Sequence, residues 1–555
     1  MRWRFPLVFV VIIISYLFLI SNFFNIQIKN GNAYYDRAVA QRKASGILEP
    51  LRGNIYFTDK NNNLIPAALN KDYPVIFADP KKFWEGLFEE NKKFNESVEE
   101  LNQAIKISGP ILERKLNKRE DSYELIVQKA DSEQIDNLKE NNFKGIYIDQ
   151  QKLRSYPFKN LASHVLGFVA SANEAEMKKY GDVEMGRYGI ELERNLSLAG
   201  QPGEEKDNKF IKAQNGSDVI LTIDINIQTQ AEEILKKLIN DWQAEGGTAI
   251  VEEPKTGKIL AMVNFPDFDP NEYSKSEIKN FMNPAVELVY EPGSVFKVIT
   301  MAAGFDSGKI TPDTTYIDTG SVILNGKKIE NWDKKAYGKQ TMTSVIEHSL
   351  NVGTVFAEKK IGHNIFKEYL IKFGLGKLTG VNLPGEVKGN INNLKKGKDI
   401  DFATASFGQG VSVTPLQLIS AVSAIANGGV LMKPIISAEE NPQIVARVIS
   451  EESAQKVIKT MVSAVRLNKV ADIPNYSIGG KTGTAFVPDL KRGGYSDQVI
   501  NTYVGFASAS DPRFIILIKL DKASGAPLAG QTVAPAFKEL AQFIINYYNI
   551  APDNL

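Results

Sequence analysis

The sequence predicts a multidomain α+β chain with an antiparallel sheet flanked by helices, an extended N-terminal region and one transmembrane helix. Its 555 residues are enough for about two to four domains. An uncharged apolar run near the N-terminus has about the length that a membrane requires. Strand-like runs and amphipathic helices occupy both ends of the segment 218–555, with a mostly helical stretch between them.

The composition is that of a folded globular protein, with 43% hydrophobic and 24% charged residues. The 66 basic and 65 acidic side chains nearly cancel, so no overall field attracts nucleic acid. The absence of cysteine excludes disulfides, thiolate catalysis and cysteine-ligated zinc. His164, His348 and His363 are scattered along the chain, so we expect structural roles for them, no metal site and no cofactor.

The N-terminus predicts a membrane anchor. Residues 7–24 carry no charge, and Arg2 and Arg4 precede them, which keeps the N-terminus cytoplasmic. The alternative is a cleaved signal peptide, but the run is long and no Ala-x-Ala-like site follows. We therefore expect a cytoplasmic tail over 1–6, an uncleaved single-pass anchor in the cytoplasmic membrane over 7–25, and an extracytoplasmic remainder.

The segment 26–217 is predicted to be an extended, non-catalytic region. Residues 83–151 are rich in Lys, Glu and Asn and show helical periodicity. Their charges indicate a solvated face, with a partner surface as the alternative. A polar linker over 206–216 leads to the next domain.

The segment 218–555 shows a different pattern, of alternating predicted strands and helices. Residues 219–223 are predicted to form a strand, and Asp224 or Asn226 can cap the helix that follows. Two further strand-like runs form a predicted hairpin, and three more precede a C-terminal helix over 534–548. The hairpin runs are 248–252 and 258–263, and the later runs are 476–486, 502–507 and 514–520. The middle, 304–471, is predicted to be mostly helical with loops.

Three motifs in one order indicate the chemistry. They are Ser294-Val-Phe-Lys297, Ser349-Leu-Asn351 and Lys481-Thr-Gly483. A serine and a lysine three positions apart share one face of a helix. Together with a second hydroxyl, an amide and a second lysine, they can activate a serine without histidine or aspartate, which implies covalent acyl transfer. An earlier Lys-Thr-Gly, at 255–257, lies in a Pro/Gly turn and is interpreted as turn sequence.

Ser294 is the predicted nucleophile. Pro292 and Gly293 precede it and apolar residues follow, which predicts a turn entering a buried helix. The N-terminus of a helix favours a nearby oxyanion through its partial positive charge and free N–H groups. Lys297 must be neutral to accept a proton, and burial together with a second cation, Lys481, would lower its pKa. We therefore expect Lys297 to take the proton from Ser294.

The second motif supplies a relay and a substrate contact. Ser349 can pass a proton between Lys297 and a leaving amine, and Asn351 can donate to and accept from a peptide backbone. A lone Ser-x-Asn string is commonly a helix cap, so this interpretation depends on the other two motifs.

The third motif predicts a strand that grips the substrate. An edge strand can pair with an extended peptide, and Lys481, Thr482, Gly483 and Thr484 form the predicted binding strand. The two threonine hydroxyls and the lysine charge would hold a terminal carboxylate. The backbone N–H groups of Ser294 and Thr484 are the predicted oxyanion hole.

Two competing motifs fail. Gly480-Lys-Thr482 resembles the end of a phosphate-binding loop, but Asn475 stands where that motif requires its first glycine. No Gly-x-Ser-x-Gly elbow surrounds Ser294, so a Ser-His-Asp hydrolase is not indicated.

With these motifs, the chain resembles the class B penicillin-binding proteins, which are membrane-anchored peptidoglycan D,D-transpeptidases. The resemblance extends to further strings and covers nearly the whole chain. These strings are Tyr290 to Lys297, Ser406 to Gly410, Thr414 to Leu418, Gly479 to Thr484, Arg52-Gly53 and His164 to Gly167. It implies a penicillin-binding/serine-β-lactamase-like transpeptidase domain over 218–555 and a pedestal, or dimerisation-like, domain over 26–217.

The resemblance also implies a reaction and partners. Ser294 would attack the D-Ala-D-Ala end of a stem peptide, D-alanine would leave, and an amine of a neighbouring stem would resolve the acyl-enzyme into a crosslink. β-Lactams would acylate the same serine. Partners would be a polytopic glycan polymerase and other division or elongation proteins. The strings at 406–410 and 331–333 look more like the septal type.

One departure from the family pattern is at 60–63, where Lys60-Asn-Asn-Asn63 replaces a turn that usually contains glycine. Asparagine tolerates the left-handed conformation, so we expect little effect. Two alternative functions remain open. One is a hydrolase, such as a D,D-carboxypeptidase, and the other is a β-lactam-binding sensor or scaffold without crosslinking activity.

Overall fold

The computed structural model describes residues 15–16, 50–173, 176, 184–206, 209–395, 397–489, 493–525 and 527–553. Apart from Ser15 and Tyr16, the predicted membrane anchor lies outside the described residues. Within the described part of the chain, no helix has the length and apolar character that crossing a membrane requires.

The described residues form two compact units. The smaller comprises those within Met1–Gly53, Ala170–Met185 and Arg194–Val219, and the larger those within Asn54–Val169, Gly186–Glu193 and Ile220–Leu555. The larger unit contains all three motifs. The predicted boundary between residues 217 and 218 stays a prediction.

The N-terminal half alternates strands and helices. Its strands are β1 (Ile55–Thr58), β2 (Ile65–Ala78), β3 (Glu124–Val127), β4 (Ile146–Ser155), β5 (Phe168–Ser171), β6 (Glu184–Arg187), β7 (Glu204–Lys206), β8 (Lys209–Ile211) and β9 (Val219–Asp224). Its helices are α1 (Pro80–Glu90), α2 (Phe94–Ile105), α3 (Gly109–Leu116), α4 (Ser132–Asn141), α5 (Ser163–Leu166), α6 (Gly189–Glu193) and α7 (Asn195–Ala199).

One sheet organises this half. Its strand order is β3-β2-β1-β9, and β4 also pairs with the long strand β2. The helices α1 to α4 pack apolar side chains with those of β2 and β3, including Ile76, Leu101 and Ile105. The predicted strand at 219–223 exists as β9, and it joins this sheet instead of the one that carries the third motif.

The turn between β1 and β2 explains the departure at 60–63. Asn62 has φ +60°, and the carboxylate of Asp59 accepts N–H groups from Asn61 at 2.8 Å and Asn63 at 2.9 Å. Asparagine therefore supplies the left-handed residue in place of glycine, as the sequence predicted. The Lys60 N–H also donates to the Tyr547 hydroxyl at 3.0 Å.

The C-terminal half is built around a second sheet. Its strands are β10 (Gly246–Glu253), β11 (Lys258–Phe265), β12 (Thr315–Asp318), β13 (Ser321–Leu324), β14 (Lys327–Glu330), β15 (Gly338–Thr341), β16 (Val430–Met432), β17 (Ile444–Arg447), β18 (Gly479–Pro488), β19 (Tyr495–Phe506) and β20 (Ile515–Asp521). Its helices are α8 (Ile225–Trp242), α9 (Pro284–Glu287), α10 (Lys297–Asp306), α11 (Met342–Glu347), α12 (Asn351–Ile361), α13 (His363–Lys372), α14 (Asp399–Ala405), α15 (Pro415–Ala426), α16 (Glu451–Asn468) and α17 (Val533–Tyr548).

Five antiparallel strands form the main sheet in the order β11-β10-β20-β19-β18. The apolar faces of α8 and α17 pack on it with side chains such as Leu235, Phe537 and Leu540. The predicted cap of α8 is present, since Asp224 accepts the N–H groups of Asn226 and Ile227. An antiparallel sheet flanked by helices was therefore predicted correctly, with β18 at one edge.

The middle of the chain is helical as predicted, but it also contains short strand pairs. β12 pairs with β15, β13 with β14, and β16 with β17. The sequence does not predict these strands, because each has only three or four residues. Strands this short, such as Lys327–Glu330, are too brief to display a period-2 pattern.

A buried carboxylic acid lies between the main sheet and α15. Glu252 of β10 is 1% exposed, and the Ser420 hydroxyl donates to its Oε2 at 3.3 Å. Burial raises the pKa of Glu252 to about 7, because the charged form loses its hydration.

We predict that Glu252→Gln makes stability less dependent on pH. Folding raises this pKa from 4.5 to about 7, so the folded state binds a proton at Glu252 more tightly than the unfolded state does. This proton binding contributes fully to the free energy of unfolding below pH 4.5, and the contribution is lost as the pH rises through 7. The free energy of unfolding of the variant, measured relative to wild type, should therefore increase by about 3 kcal/mol between pH 5 and pH 8. Denaturant unfolding at both pH values measures this gain.

The control is Glu233→Gln, at an exposed position of α8. A stability difference between Glu252→Gln and wild type that is the same at pH 5 and pH 8 would contradict the prediction.

Candidate active site

The three motifs meet at one cavity. Ser294, Ser349, Lys481, Thr482 and Thr484 all line a cavity of about 460 Å³. They come from three separate places in the chain: the turn before α10, the loop between α11 and α12, and the edge strand β18. The fold therefore brings together groups that lie far apart in sequence.

Close backbone contacts fix the turn that carries Ser294. Gly293 has φ +56°, and its N–H donates to the carbonyl of Gly408 at 3.1 Å. A Cβ at Gly408 would lie 2.2 Å from the Gly293 oxygen, and a Cβ at Gly483 would lie 2.8 Å from the Pro292 oxygen. Glycine is therefore required for β18 and the 408 loop to approach this turn.

Ser294 itself lies in the 3₁₀ turn Gly293–Phe296, which continues into the buried helix α10. This agrees with the predicted turn into a buried helix. Among the described residues, the Ser294 hydroxyl has no hydrogen-bonding partner. A direct hydrogen bond from Ser294 to Lys297 is therefore not part of this geometry, and such bonds commonly tighten only when substrate binds.

Lys297 begins α10 and is fully buried. Its Nζ lies 2.6 Å from the Ser349 carbonyl oxygen and 3.2 Å from the Ser349 Oγ. Burial, followed by the charge of Lys481, lowers the pKa of Lys297 well below 10.5. A neutral amine at neutral pH can accept a proton, which is what a general base requires.

Ser349 lies between two amines. Its Oγ accepts from Lys481 Nζ at 3.1 Å as well as from Lys297 Nζ. Lys481 is 4% exposed, and burial lowers its pKa to about 7. Ser349 also has φ +57°, a left-handed conformation that is uncommon outside glycine.

The remaining predicted binding residues have different surroundings. Thr484 Oγ1 accepts the Ala529 N–H at 3.1 Å, and Lys481 Nζ lies 3.4 Å from Thr482 Oγ1. The side-chain amide of Asn351 donates to the Glu330 carbonyl at 2.8 Å and does not line the cavity. Gly483 acts through close packing on the Ser294 turn.

Two walls of the cavity consist of residues that the motifs did not predict. Trp332, Tyr337 and His348 form part of one wall, and residues 528–531 form part of another. His348 stacks on Tyr337 with ring centroids 5.4 Å apart. Its position next to Ser349 in the chain was the signal that could have placed it at the site.

The other histidines lie elsewhere. Burial lowers the pKa of His164 to about 4, and its Nε2 is 2.9 Å from the Asn280 oxygen. His363 packs flat on Phe402, with ring centroids 4.0 Å apart. In the described part of the chain, no group of three or more His, Cys, Asp or Glu side chains could hold a metal ion.

Two family models match the chain. "Penicillin binding protein transpeptidase domain" matches residues 247–542, and "Penicillin-binding Protein dimerisation domain" matches residues 47–218. Together they span most of the sequence and both of its halves.

Curated relatives match over nearly the full length. Stage V sporulation protein D of Bacillus subtilis is 31% identical over 508 residues, covering 88% of this chain and 76% of the relative. Peptidoglycan D,D-transpeptidase FtsI of Escherichia coli is 26% identical over 574 residues, covering 100% of this chain and 93% of the relative.

Solved structures are also similar. The crystal structure of penicillin binding protein 3 from Mycobacterium tuberculosis, complexed with aztreonam, has a TM-score of 0.69 and 27% identity. The match covers 91% of this chain and 98% of that one. The same protein is solved with ampicillin, at a TM-score of 0.68.

We predict that Lys481→Met moves the acid limb of the acylation rate to higher pH. Losing the second cation removes one of the two causes that lower the pKa of Lys297, so that pKa should rise. Intact-mass measurement of covalent ampicillin uptake between pH 5 and pH 9 gives the profile.

Lys433→Met, at a lysine paired with Glu440, is the control and should leave the profile in place. If the acylation rate of Lys481→Met falls at the same acidic pH as that of wild type, Lys481 does not set the pKa of Lys297.

Proposed function

The chain belongs to the class B penicillin-binding proteins, and from this membership we propose that Ser294 forms its acyl-enzyme. The protein is a peptidoglycan D,D-transpeptidase that acts in cell-wall synthesis and binds β-lactams. The proposal assigns the steps of that reaction to residues of this chain.

One observation carries the assignment: two buried lysine amines flank the Ser349 hydroxyl beside the cavity that Ser294 lines. In the first step, Ser294 Oγ bonds to the carbonyl carbon of the penultimate D-alanine, and its proton passes to neutral Lys297. Collapse of the tetrahedral species then breaks the C–N bond to the terminal D-alanine. Ser349 relays the proton to that leaving amine.

The second step reverses the proton path. The amine of a neighbouring stem peptide attacks the ester, Ser294 Oγ leaves, and the proton lost by the amine returns to Ser294. Backbone N–H groups of Ser294 and Thr484 would stabilise the oxyanion in both steps. Water in place of the amine would give hydrolysis, which is the carboxypeptidase outcome.

The edge strand β18 is proposed to bind the donor peptide. An extended stem peptide can pair with its free edge, as edge strands allow. Lys481, Thr482 and Thr484 line the cavity there and would hold the terminal carboxylate. Asn351 is proposed to contact the peptide through its second N–H or its Oδ1, since one N–H donates to the Glu330 carbonyl.

The location and protein partners are also proposals. The uncharged run at 7–24 after Arg2 and Arg4 supports a single-pass anchor with the catalytic domain outside the cytoplasmic membrane. A polytopic glycan polymerase and other division or elongation proteins are the proposed partners. The strings at 331–333 and 406–410 favour a septal role.

We predict that Ser294→Ala abolishes covalent labelling of the purified protein by a fluorescent penicillin, because no other residue would form the ester. Lys297→Ala should slow labelling by about 10²- to 10⁴-fold, as the loss of a general base does. Gel fluorescence over time measures both effects.

Ser307→Ala, at the other end of α10, is the control and should label like wild type. Labelling of Ser294→Ala would place the nucleophile elsewhere, and near-normal labelling of Lys297→Ala would exclude it as the base.

We predict aminolysis when the protein is incubated with a stem-peptide thioester and a D-amino-acid acceptor. Mass spectrometry of the products distinguishes the functions directly. A D-amino-acid adduct supports the transpeptidase, the free acid alone supports a hydrolase, and an acylated protein with no product supports a sensor.

A further inference from the structure

The loop that carries Ser349 is held in an unusual conformation without a cap of its own. Ser349 has φ +57°, which costs free energy in a residue with a side chain. The next helix, α12, begins at Asn351, and its N-cap Leu350 has no side-chain hydrogen bond to the first turn. Another part of the chain must therefore accept hydrogen bonds from the free backbone N–H groups in the first turn of α12.

A distant asparagine caps α12. The Val352 N–H donates to Oδ1 of Asn331 at 3.2 Å, so a residue 21 positions earlier takes the place of a local N-cap. Asn331 is 2% exposed. Its amide nitrogen donates to Asp318 Oδ2 at 2.8 Å and to the Lys335 carbonyl at 3.1 Å.

Asp318 fixes which way the Asn331 amide points. The aspartate is 1% exposed, and it accepts three N–H groups, from Gly320 at 3.1 Å, Tyr337 at 3.2 Å and Asn331. An ionised carboxylate only accepts hydrogen bonds, so the NH₂ end of Asn331 must face it. The oxygen of Asn331 is thereby directed to the N–H of Val352.

The neighbours of Asn331 hold the other side of the loop. Trp332 Nε1–H donates to the His348 carbonyl at 3.2 Å, and Asn351 donates to the Glu330 carbonyl at 2.8 Å. Residues 330–332 therefore contact His348 on one side of Ser349 and residues 351–352 on the other. This brace fixes both flanks of the residue whose Oγ lies between two lysines.

We propose that Asn331, oriented by Asp318, is a positioning residue that holds the Ser349 hydroxyl between Lys297 and Lys481. The inference rests on the proposed role of Ser349 in acyl transfer. Asn331 touches no reacting atom in this arrangement and acts through the start of α12 and the loop before it. Its loss should displace Ser349 and slow acylation while the fold persists.

The test is a double-mutant cycle in the full-length protein with fluorescent penicillin as the probe. Asn331→Ala should slow acylation by about 10- to 100-fold, the effect of small displacements near reacting groups. In a Ser349→Ala background, the same change should slow it by no more than about twofold, because the group it positions is gone. A purely structural role would reduce the rate equally in both backgrounds and would overturn the proposal.

A donor–acceptor exchange supplies a second readout. Asn331→Asp keeps an acceptor for Val352 but places two carboxylates together, so acylation should fall. Adding Asp318→Asn restores the donor–acceptor pair but leaves the Tyr337 N–H without its acceptor, so the double variant should acylate measurably faster than Asn331→Asp alone and slower than wild type. A double variant as slow as the single one would contradict the orienting role of Asp318.

The matched control is Asn264→Ala, which removes a buried asparagine of β11 that bonds Thr248 and Asn283. It should lower the unfolding temperature and leave the acylation rate unchanged. Equal slowing in this control would assign the Asn331 effect to stability alone. If wild type and Ser294→Ala label alike, the proposed function has failed instead, which separates the two results.

Discussion

The central constraint of this structure is the burial of two lysine amines around one serine hydroxyl. Lys297 is fully buried and Lys481 is 4% exposed, and both contact Ser349 Oγ. Among the described ion pairs, neither amine faces a carboxylate. Burial lowers the pKa of both amines, and the charge of Lys481 lowers the pKa of Lys297 further. The neutral amine that the reaction needs is therefore a consequence of the packing around the site.

That packing depends on close approach of backbone segments. Gly408 and Gly483 bring the 408 loop and β18 to the Ser294 turn at distances that a Cβ would prevent, and Gly293 supplies the positive φ of that turn. The Thr300 hydroxyl adds a hydrogen bond to the Ser406 carbonyl at 2.7 Å. With these contacts the segments exclude water from Lys297, which is what keeps its pKa low. These glycines thus shape the site and, by allowing the close packing that buries Lys297, also help to keep the pKa of that lysine low.

The sequence predicted the main sheet and the convergence of the motifs because these depend on long apolar patterns and on specific residue spacing. β18, β20 and α17 appear close to their predicted positions, and β19 begins seven residues before the predicted start at 502. The short strands at 315–341 were missed, since each is too brief to display a period-2 pattern. Neither did the sequence reveal that β9 pairs with β1, because pairing between distant strands leaves no local signal. The buried Asp318–Asn331 pair was invisible for the same reason: it depends on a contact that only the folded chain creates.

The two lysines differ in what their charge can do. Lys297 loses charge first, because it is fully buried and faces a second cation. Burial lowers the pKa of Lys481 to about 7, so this amine, whose strand borders the cavity, is partly charged near neutral pH. A terminal carboxylate bound there would raise the pKa of Lys481 and keep that amine charged. Lys481 would then hold the end of the substrate while neutral Lys297 serves as the base, and the Ser349 hydroxyl contacts both amines.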